Sequence, residues 1–385
     1  MTGQSKSIIA ACLISTAGAI VYLISPILIG SSMDSLGLSA NQAGIILSVY
    51  FAGYTLLPIS AVFWLHLFKR QPVAWISTVA LVFGLLAAAW SSALSTLMIA
   101  MFISGAGAGM LYGLFVTLVA ASKNPDRNFG YALAVQLALG SVILFFGPAV
   151  LGPRWGFSGI LIGTAIFVVV ICLCIPWIPE PVKPSGLQDE TQSANISMAP
   201  VFTSIAALLL WFTGFSGIYA FVERIGVTNG LDGMTIGIVL SATLITGIAG
   251  AMSAAWLGNR VGRRNPHLAG MAGTTVAIIL LTGNPDLVRF SVAIGFLTFS
   301  WNFWLAYLFG AIALADVQGR FAVLTTAALG IGATLGPGIA GSLVSGSNFT
   351  SIFVFGGLLI TIGLLAVLWA LSNMLKKISY ASSAE

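Results

Sequence analysis

Charged side chains are nearly missing from this sequence. Asp, Glu, Lys and Arg make up 6% of its 385 residues, against about 25% in soluble domains. A water-facing surface cannot be assembled from so few charges, so a soluble globular protein is excluded. Histidine is rarer still: His66 and His267 are the only two. Both lie in basic loops without the spacing of metal ligands, and no glycine-rich phosphate loop is present. These absences leave no expected metal site or cofactor and argue against a membrane enzyme. The three cysteines, Cys12, Cys172 and Cys174, sit inside apolar runs. There they act as small packing residues rather than as a disulfide framework. The formal net charge of +5 comes from loops, so no nucleic-acid partner is expected.

What the sequence has in abundance is hydrophobicity, spread along its whole length. Hydrophobic residues make up 58% of it, and the mean hydropathy is +1.04. A hydrocarbon core of ~30 Å takes roughly twenty apolar residues to cross. Twelve such runs can be laid out. In the first half they are about Ser7–Ile29, Asn41–Leu65, Pro72–Trp90, Leu94–Ala121, Phe129–Leu151 and Trp155–Ile178. In the second half they are about Pro200–Val222, Met234–Leu257, His267–Thr282, Leu287–Ala315, Phe321–Ser345 and Phe349–Met374. The segment between the halves is rich in Pro, Ser, Gln, Asp and Glu and reads as a linker. The expected organisation is a six-helix bundle over 1–178, a cytoplasmic linker over 179–199, a second six-helix bundle over 200–375 and a cytoplasmic tail over 376–385.

Lys and Arg are distributed unevenly between the two ends of these spans. With the N-terminus inside, the cytoplasmic segments hold Lys6, Lys69, Arg70, Lys123, Arg127, Lys183, Arg260, Arg263, Arg264, Arg320, Lys376 and Lys377. The outer segments hold Arg154, Arg224 and Arg289. This bias follows the positive-inside rule and places both termini in the cytoplasm.

Three stretches carry more than hydropathy. The loop after the eighth span reads Gly258-Asn259-Arg260-Val261-Gly262-Arg263-Arg264, with Pro266 closing it. Half a chain earlier His66, Lys69, Arg70 and Pro72 stand at matching places, as a duplicated transporter architecture would have it. The fourth span has Leu97, Met101, Ser104-Gly105, Gly107 and Gly109. The eleventh has Gly332, Gly336-Pro337 and Gly341, and the fifth a looser set, Gly140, Gly147, Pro148 and Gly152. Small residues let helices approach closely in lipid, and a proline removes a donor and bends its helix.

These stretches resemble the major facilitator superfamily, over nearly the whole chain. The loop is similar to that family's cytoplasmic D-R-x-G-R-R loop, with Asn259 in place of Asp. The fourth span is similar to its L-x-x-x-R-x-x-Q-G-x-G pattern, with Met101 and Ser104 replacing Arg and Gln. The eleventh is similar to the G-x-x-x-G-P-x-x-G-G pattern of antiporters. The resemblance is closest to twelve-helix drug:proton antiporters of the bacterial inner membrane. It implies an all-α integral membrane protein of two pseudo-symmetric six-helix bundles, acting by alternating access as a monomer on a small-molecule substrate. It also implies that spans 1, 4, 7 and 10, with 2, 5, 8 and 11, line a cavity, while 3, 6, 9 and 12 face lipid.

Residue types on those spans suggest what the cavity takes. The tenth span carries Trp301, Asn302, Trp304 and Tyr307 near its middle. Flat rings with polar edges suit an aromatic or amphipathic molecule. Tyr22, Tyr50, Tyr54, Tyr112, Gln136, Ser216 and Tyr219 are further candidates. No fixed cation lies deep on these spans, which argues against a polyanion. Carboxylates at membrane depth mark proton routes, and Glu223, Asp34 and Asp316 are the candidates for coupling. Glu223 is favoured because Ser216 and Tyr219 share its stripe; an ion pair with Arg224 is the other reading. Proton-coupled efflux is the expected activity. The alternatives are proton-coupled uptake and a non-transporting receptor of the same fold.

Overall fold

A computed structural model describes residues 3–64, 68–120, 122, 124–180, 198–258, 260–262, 264–315 and 322–382. Among the described residues the regular structure is helical. The first half holds α1 (Gly3–Leu23), α2 (Ser25–Leu36), α3 (Ala40–Trp64), α4 (Arg70–Ala89), α5 (Leu94–Ala120), α6 (Pro125–Phe146) and α7 (Gly152–Cys172). The second half holds α8 (Met198–Thr228), α9 (Gly233–Leu257), α10 (Arg264–Leu281), α11 (Leu287–Ala315), α12 (Ala322–Leu343) and α13 (Thr350–Ser382). Among the described residues ten stretches are long and apolar enough to cross a membrane, and one of them, Arg127–Trp177, takes in most of α6 and all of α7. Gly156, in the first turns of α7, breaks the helix with φ of 59°, a conformation that favours glycine. The short α10 opens on Arg264-Asn265-Pro266-His267, which dilutes its apolar character.

Several predicted boundaries move. The first span does not end at Ile29 but continues through α2 to Leu36. Pro26 interrupts it only locally, because one missing N–H frees a single carbonyl and the apolar run resumes at once. The sixth predicted span loses its last turn, which tightens into a 3-10 turn at Ile175–Trp177 around Pro176. The seventh reaches Thr228 rather than Val222, because Glu223 and Arg224 neutralise each other and the helix can carry both. The last extends past Met374 to Ser382.

Within the first half, α5 packs on α3, α4 and α1. Within the second, α8 packs on α12 and α13, and α11 on α9 and α10. The halves meet through α3 with α12, α6 with α9 and α2 with α8. Exchanging each span for its counterpart six later turns the α3–α12 pair into the α6–α9 pair, as a two-fold relation between halves requires. Small residues make these contacts close. Gly44 lies against the Pro337 carbonyl, and Gly341 against the Ala40 carbonyl. Pro337 lies inside α12, and next to it the Gly338 N–H donates to Ser48 Oγ on α3 at 2.9 Å. Pro148 widens the end of α6 into a π-turn over Gly147–Leu151, and Gly237 of α9 seats against its ring and the Leu144 carbonyl.

The end of the molecule with Lys69, Arg70, Arg127, Arg260 and Arg264 is the basic end. The close approaches between halves run from mid-helix to the opposite end. At the basic end, Glu180 caps α4, accepting from the Arg70 N–H at 2.8 Å and the Gln71 N–H at 3.3 Å. At the opposite end, Asp232 caps α9 through the Thr235 N–H and hydroxyl. Those two bonds hold the Asp232 carboxyl below the usual range.

Candidate functional site

Aromatic rings from both halves converge where the halves meet. Tyr22, in the last turn of α1, is at the centre. Its ring centroid lies 5.9 Å from Phe51 on α3, 5.6 Å from Phe212 and 5.8 Å from Tyr219 on α8, and 5.9 Å from Trp301 on α11. Trp301 in turn lies 4.4 Å from Phe215, 4.6 Å from Phe212 and 5.0 Å from Trp211. On the other flank Phe51 leads to Tyr54 at 6.2 Å, and Tyr54 to Tyr112 of α5 at 6.0 Å. Ring pairs at such spacings attract by about 0.5–1.5 kcal/mol beyond their burial. The result is a continuous aromatic wall from α5 through α3 and α1 to α8 and α11.

Four members of that wall, Tyr22, Tyr54, Tyr112 and Trp301, keep part of their surface exposed. The wall carries no fixed charge: α3 and α5 have none, and Lys6, Glu223, Arg224 and Arg289 lie near the ends of α1, α8 and α11. It does carry unmet polar groups. The Tyr22 hydroxyl and the Trp211 indole nitrogen are buried without a hydrogen-bond partner. The Tyr219 hydroxyl is used, donating at 2.8 Å to the Leu23 carbonyl at the break between α1 and α2.

Other sequence candidates pack against this wall or lie beyond it. Trp304 is wholly buried: Gly270 leaves room for it against α10, and its indole N–H bonds His267. Tyr50 is likewise enclosed, edge-on to Phe51 at 5.2 Å. Asn302 donates to the Thr298 carbonyl of its own helix at 3.0 Å and seats on Gly247 of α9. Tyr307 is at the basic end, donating to the Gly258 carbonyl at 3.0 Å. Ser216 bonds the Gly332 carbonyl at 3.1 Å, with Gly336 packed against it. Gln136 is buried on α6, and Gly147 is packed on Ile27 of α2.

The carboxylates gather differently. Arg224 donates from Nη1 and Nη2 to the two oxygens of Asp34 at 2.6 and 2.7 Å. It also donates from Nε and Nη2 to Glu223 at 2.7 and 2.8 Å. Asp34 is on α2, while Glu223 and Arg224 are on α8, so one guanidinium joins the halves at the end opposite the basic loop. The Glu223 carboxylate occupies the space where a Cβ on Gly30 would stand. A side chain at position 30 would push the carboxylate out of this seat. The sequence named Glu223 and Asp34 separately; nothing local in it links Asp34 to Arg224, 190 residues away.

In the basic loop, Arg260 lays its guanidinium over the Trp256 ring at 5.7 Å from the centroid. Gly258 and Gly262 turn the chain with positive φ. The Gly258 carbonyl, just past the end of α9, accepts from the Tyr307 hydroxyl. Arg264 opens α10. Asn259, Arg263 and Asp316 lie outside the described residues. The sequence reading also passed over Phe51, Phe215 and Gly30, and it put His267 in a basic loop, whereas that side chain is buried on α10. In a chain this apolar, one more Phe or Gly on a helix carries no signal of its own.

Comparison with known proteins agrees with this geometry. The sequence model of the Major Facilitator Superfamily matches residues 8–314. A search of curated proteins finds no match. Among solved structures, a crystal structure of a mutant of the nucleoside transporter NupG matches with a TM-score of 0.71 and 13% identity. That alignment covers 96% of this chain and 100% of the other, a likeness of fold. Matched over most of its length, the chain belongs to the major facilitator superfamily and is a multi-pass membrane secondary transporter rather than an enzyme.

Proposed function

We propose that this transporter exports a small, planar, amphipathic aromatic molecule in exchange for protons, from a cytoplasm that faces the basic end. The observation that carries the reading is the uncharged aromatic wall shared by both halves, centred on Tyr22 with its unpartnered hydroxyl. Flat rings bind flat rings, and a buried hydroxyl or indole N–H left unpaired has a free-energy cost that a polar substrate edge removes. A polyanion would find no cation here. Nucleosides, named for the structurally similar NupG, fall in the same chemical class of flat ring with polar edges. The fold likeness alone does not choose among such molecules.

Alternating access then has a physical basis. The halves are joined at the end opposite the basic loop by Arg224, Glu223 and Asp34. Opening that end separates Asp34 from Arg224 and exposes Glu223 to water, where it can exchange a proton. In the closed arrangement Glu223 lies in a dry seat against Gly30, held by one arginine. Glu223 is therefore the coupling group in this reading, with Asp34 as the partner that responds to closure. Flux into proteoliposomes tests the proposal, with ethidium and a set of nucleosides as probes under an imposed proton gradient. Gradient-driven accumulation of a flat aromatic probe that a protonophore collapses is the expected result. Accumulation indifferent to the gradient refutes the coupling; no flux of any flat aromatic refutes the substrate class.

A further inference from the structure

His267 is 1% exposed, on α10, outside the aromatic wall. Trp304 Nε1 donates to its Nδ1 at 2.5 Å. An indole N–H only donates, so Nδ1 must be bare and the imidazole carries its proton on Nε2. The bond is built from both sides. Gly270, one turn after His267, leaves space that a Cβ would take, 2.8 Å from Trp304 Cβ. The other side of Trp304 meets Trp211 edge-on at 4.4 Å, and Trp211 stacks on Trp301 at 5.0 Å and 17°. Tyr307, one turn beyond Trp304, stands edge-on to His267 at 6.4 Å and reaches the Gly258 carbonyl of the basic loop. One imidazole therefore connects a peripheral helix to the wall in three steps.

We propose that His267 is a positioning residue of the transport site: by accepting from Trp304 it fixes the orientation of Trp211 and Trp301. The proposal rests on the aromatic wall being the substrate site. With no acceptor, a buried indole N–H is left unpaired, which favours rotation of Trp304 out of its place. Trp211 then loses its edge-on partner, and Trp301 loses the fixed ring on which it stacks. His267 itself need never touch substrate. A glutamine carbonyl can replace the acceptor; a phenylalanine fills the space without one.

The test reads the indole N–H resonances of Trp304, Trp211 and Trp301 in the purified full-length protein, each assigned by its own Trp→Phe variant. His267→Phe should move all three, and His267→Gln should return Trp211 and Trp301 toward their wild-type positions. In ethidium flux, His267→Phe should raise KM about tenfold, the scale of one lost hydrogen bond, with little change in maximal rate. Unmoved Trp211 and Trp301 resonances in His267→Phe overturn the proposal. So does His267→Gln behaving as Phe does, because the ring's shape and not its acceptor would then matter. If His267→Phe does not fold, His267→Met carries the same comparison. Absence of ethidium flux in the wild type counts against the substrate reading alone, since the resonances are read without substrate.

Discussion

Arg224→Met should unlatch the end of the transporter that Asp34 and Glu223 close. The magnitude follows from burial. Arg224 and Glu223 side chains are each 9% exposed, whereas Asp34 is 64% exposed. Water screens the Asp34–Arg224 pair, so Asp34→Asn should cost only about 0–1 kcal/mol. Removing the arginine leaves a buried carboxylate with no counter-charge, a cost of about 3–5 kcal/mol when one partner of a buried pair is lost. That cost exists only while the end is closed, because opening hydrates Glu223. The equilibrium should therefore move toward the open state by about a hundredfold or more. Spin labels at Leu36 on α2 and Met234 on α9, both exposed, report the separation of the halves at this end. Cys12, Cys172 and Cys174 are replaced by Ser beforehand. Arg224→Met should add a longer-distance population that Asp34→Asn adds weakly. The double variant Glu223→Gln with Arg224→Met should restore much of the closed state, since the buried charge is gone. An unchanged distance distribution in Arg224→Met, or no recovery in the double variant, refutes the reasoning.

Glu223→Gln alone should abolish proton-driven accumulation while leaving downhill flux; wild-type accumulation that a protonophore still collapses would put the proton site elsewhere. Trp301→Ala should weaken ethidium binding by about tenfold or more, since it removes the ring that meets Tyr22, Trp211, Phe212 and Phe215, and one ring contact is worth about 0.5–1.5 kcal/mol. Trp90→Ala and Trp369→Ala, at exposed outer positions, should change binding little, and equal effects at all three would make Trp301 a packing residue. Glu180→Ala removes the cap of α4 and should lower the thermal midpoint of the purified protein by the equivalent of about 1 kcal/mol; an unshifted melt would make that cap dispensable. Protease tags inserted after Ser185 and at the C-terminus should both be reached from the cytoplasmic side only. Access to either from outside would reverse or break the proposed orientation.

Sequence alone went far on the one-dimensional properties. Scarce charge, twelve apolar runs and a basic loop repeated at half length specify a duplicated helical membrane protein, and Gly336-Pro337 and Gly147-Pro148 mark where helices bend and meet. These follow from the cost of an unpaired backbone in lipid, which leaves helices as the economical way for such runs to cross. Facing is another matter. In water, a polar stripe tells the outside of a helix from the inside. In a bilayer, lipid and protein interior are both apolar, so a tryptophan's spacing does not say whether it meets lipid, cavity or another helix. Trp301 and Trp304 are three residues apart on one helix, yet the first borders the wall and the second is sealed against His267. Glu223 beside Arg224 was legible as a local pair. Asp34 as their third member, and Gly30 as the seat for Glu223, were not. Those contacts exist only because α2 and α8 pack together, and packing between distant helices is decided by the shapes of whole surfaces, not by any one stretch of chain.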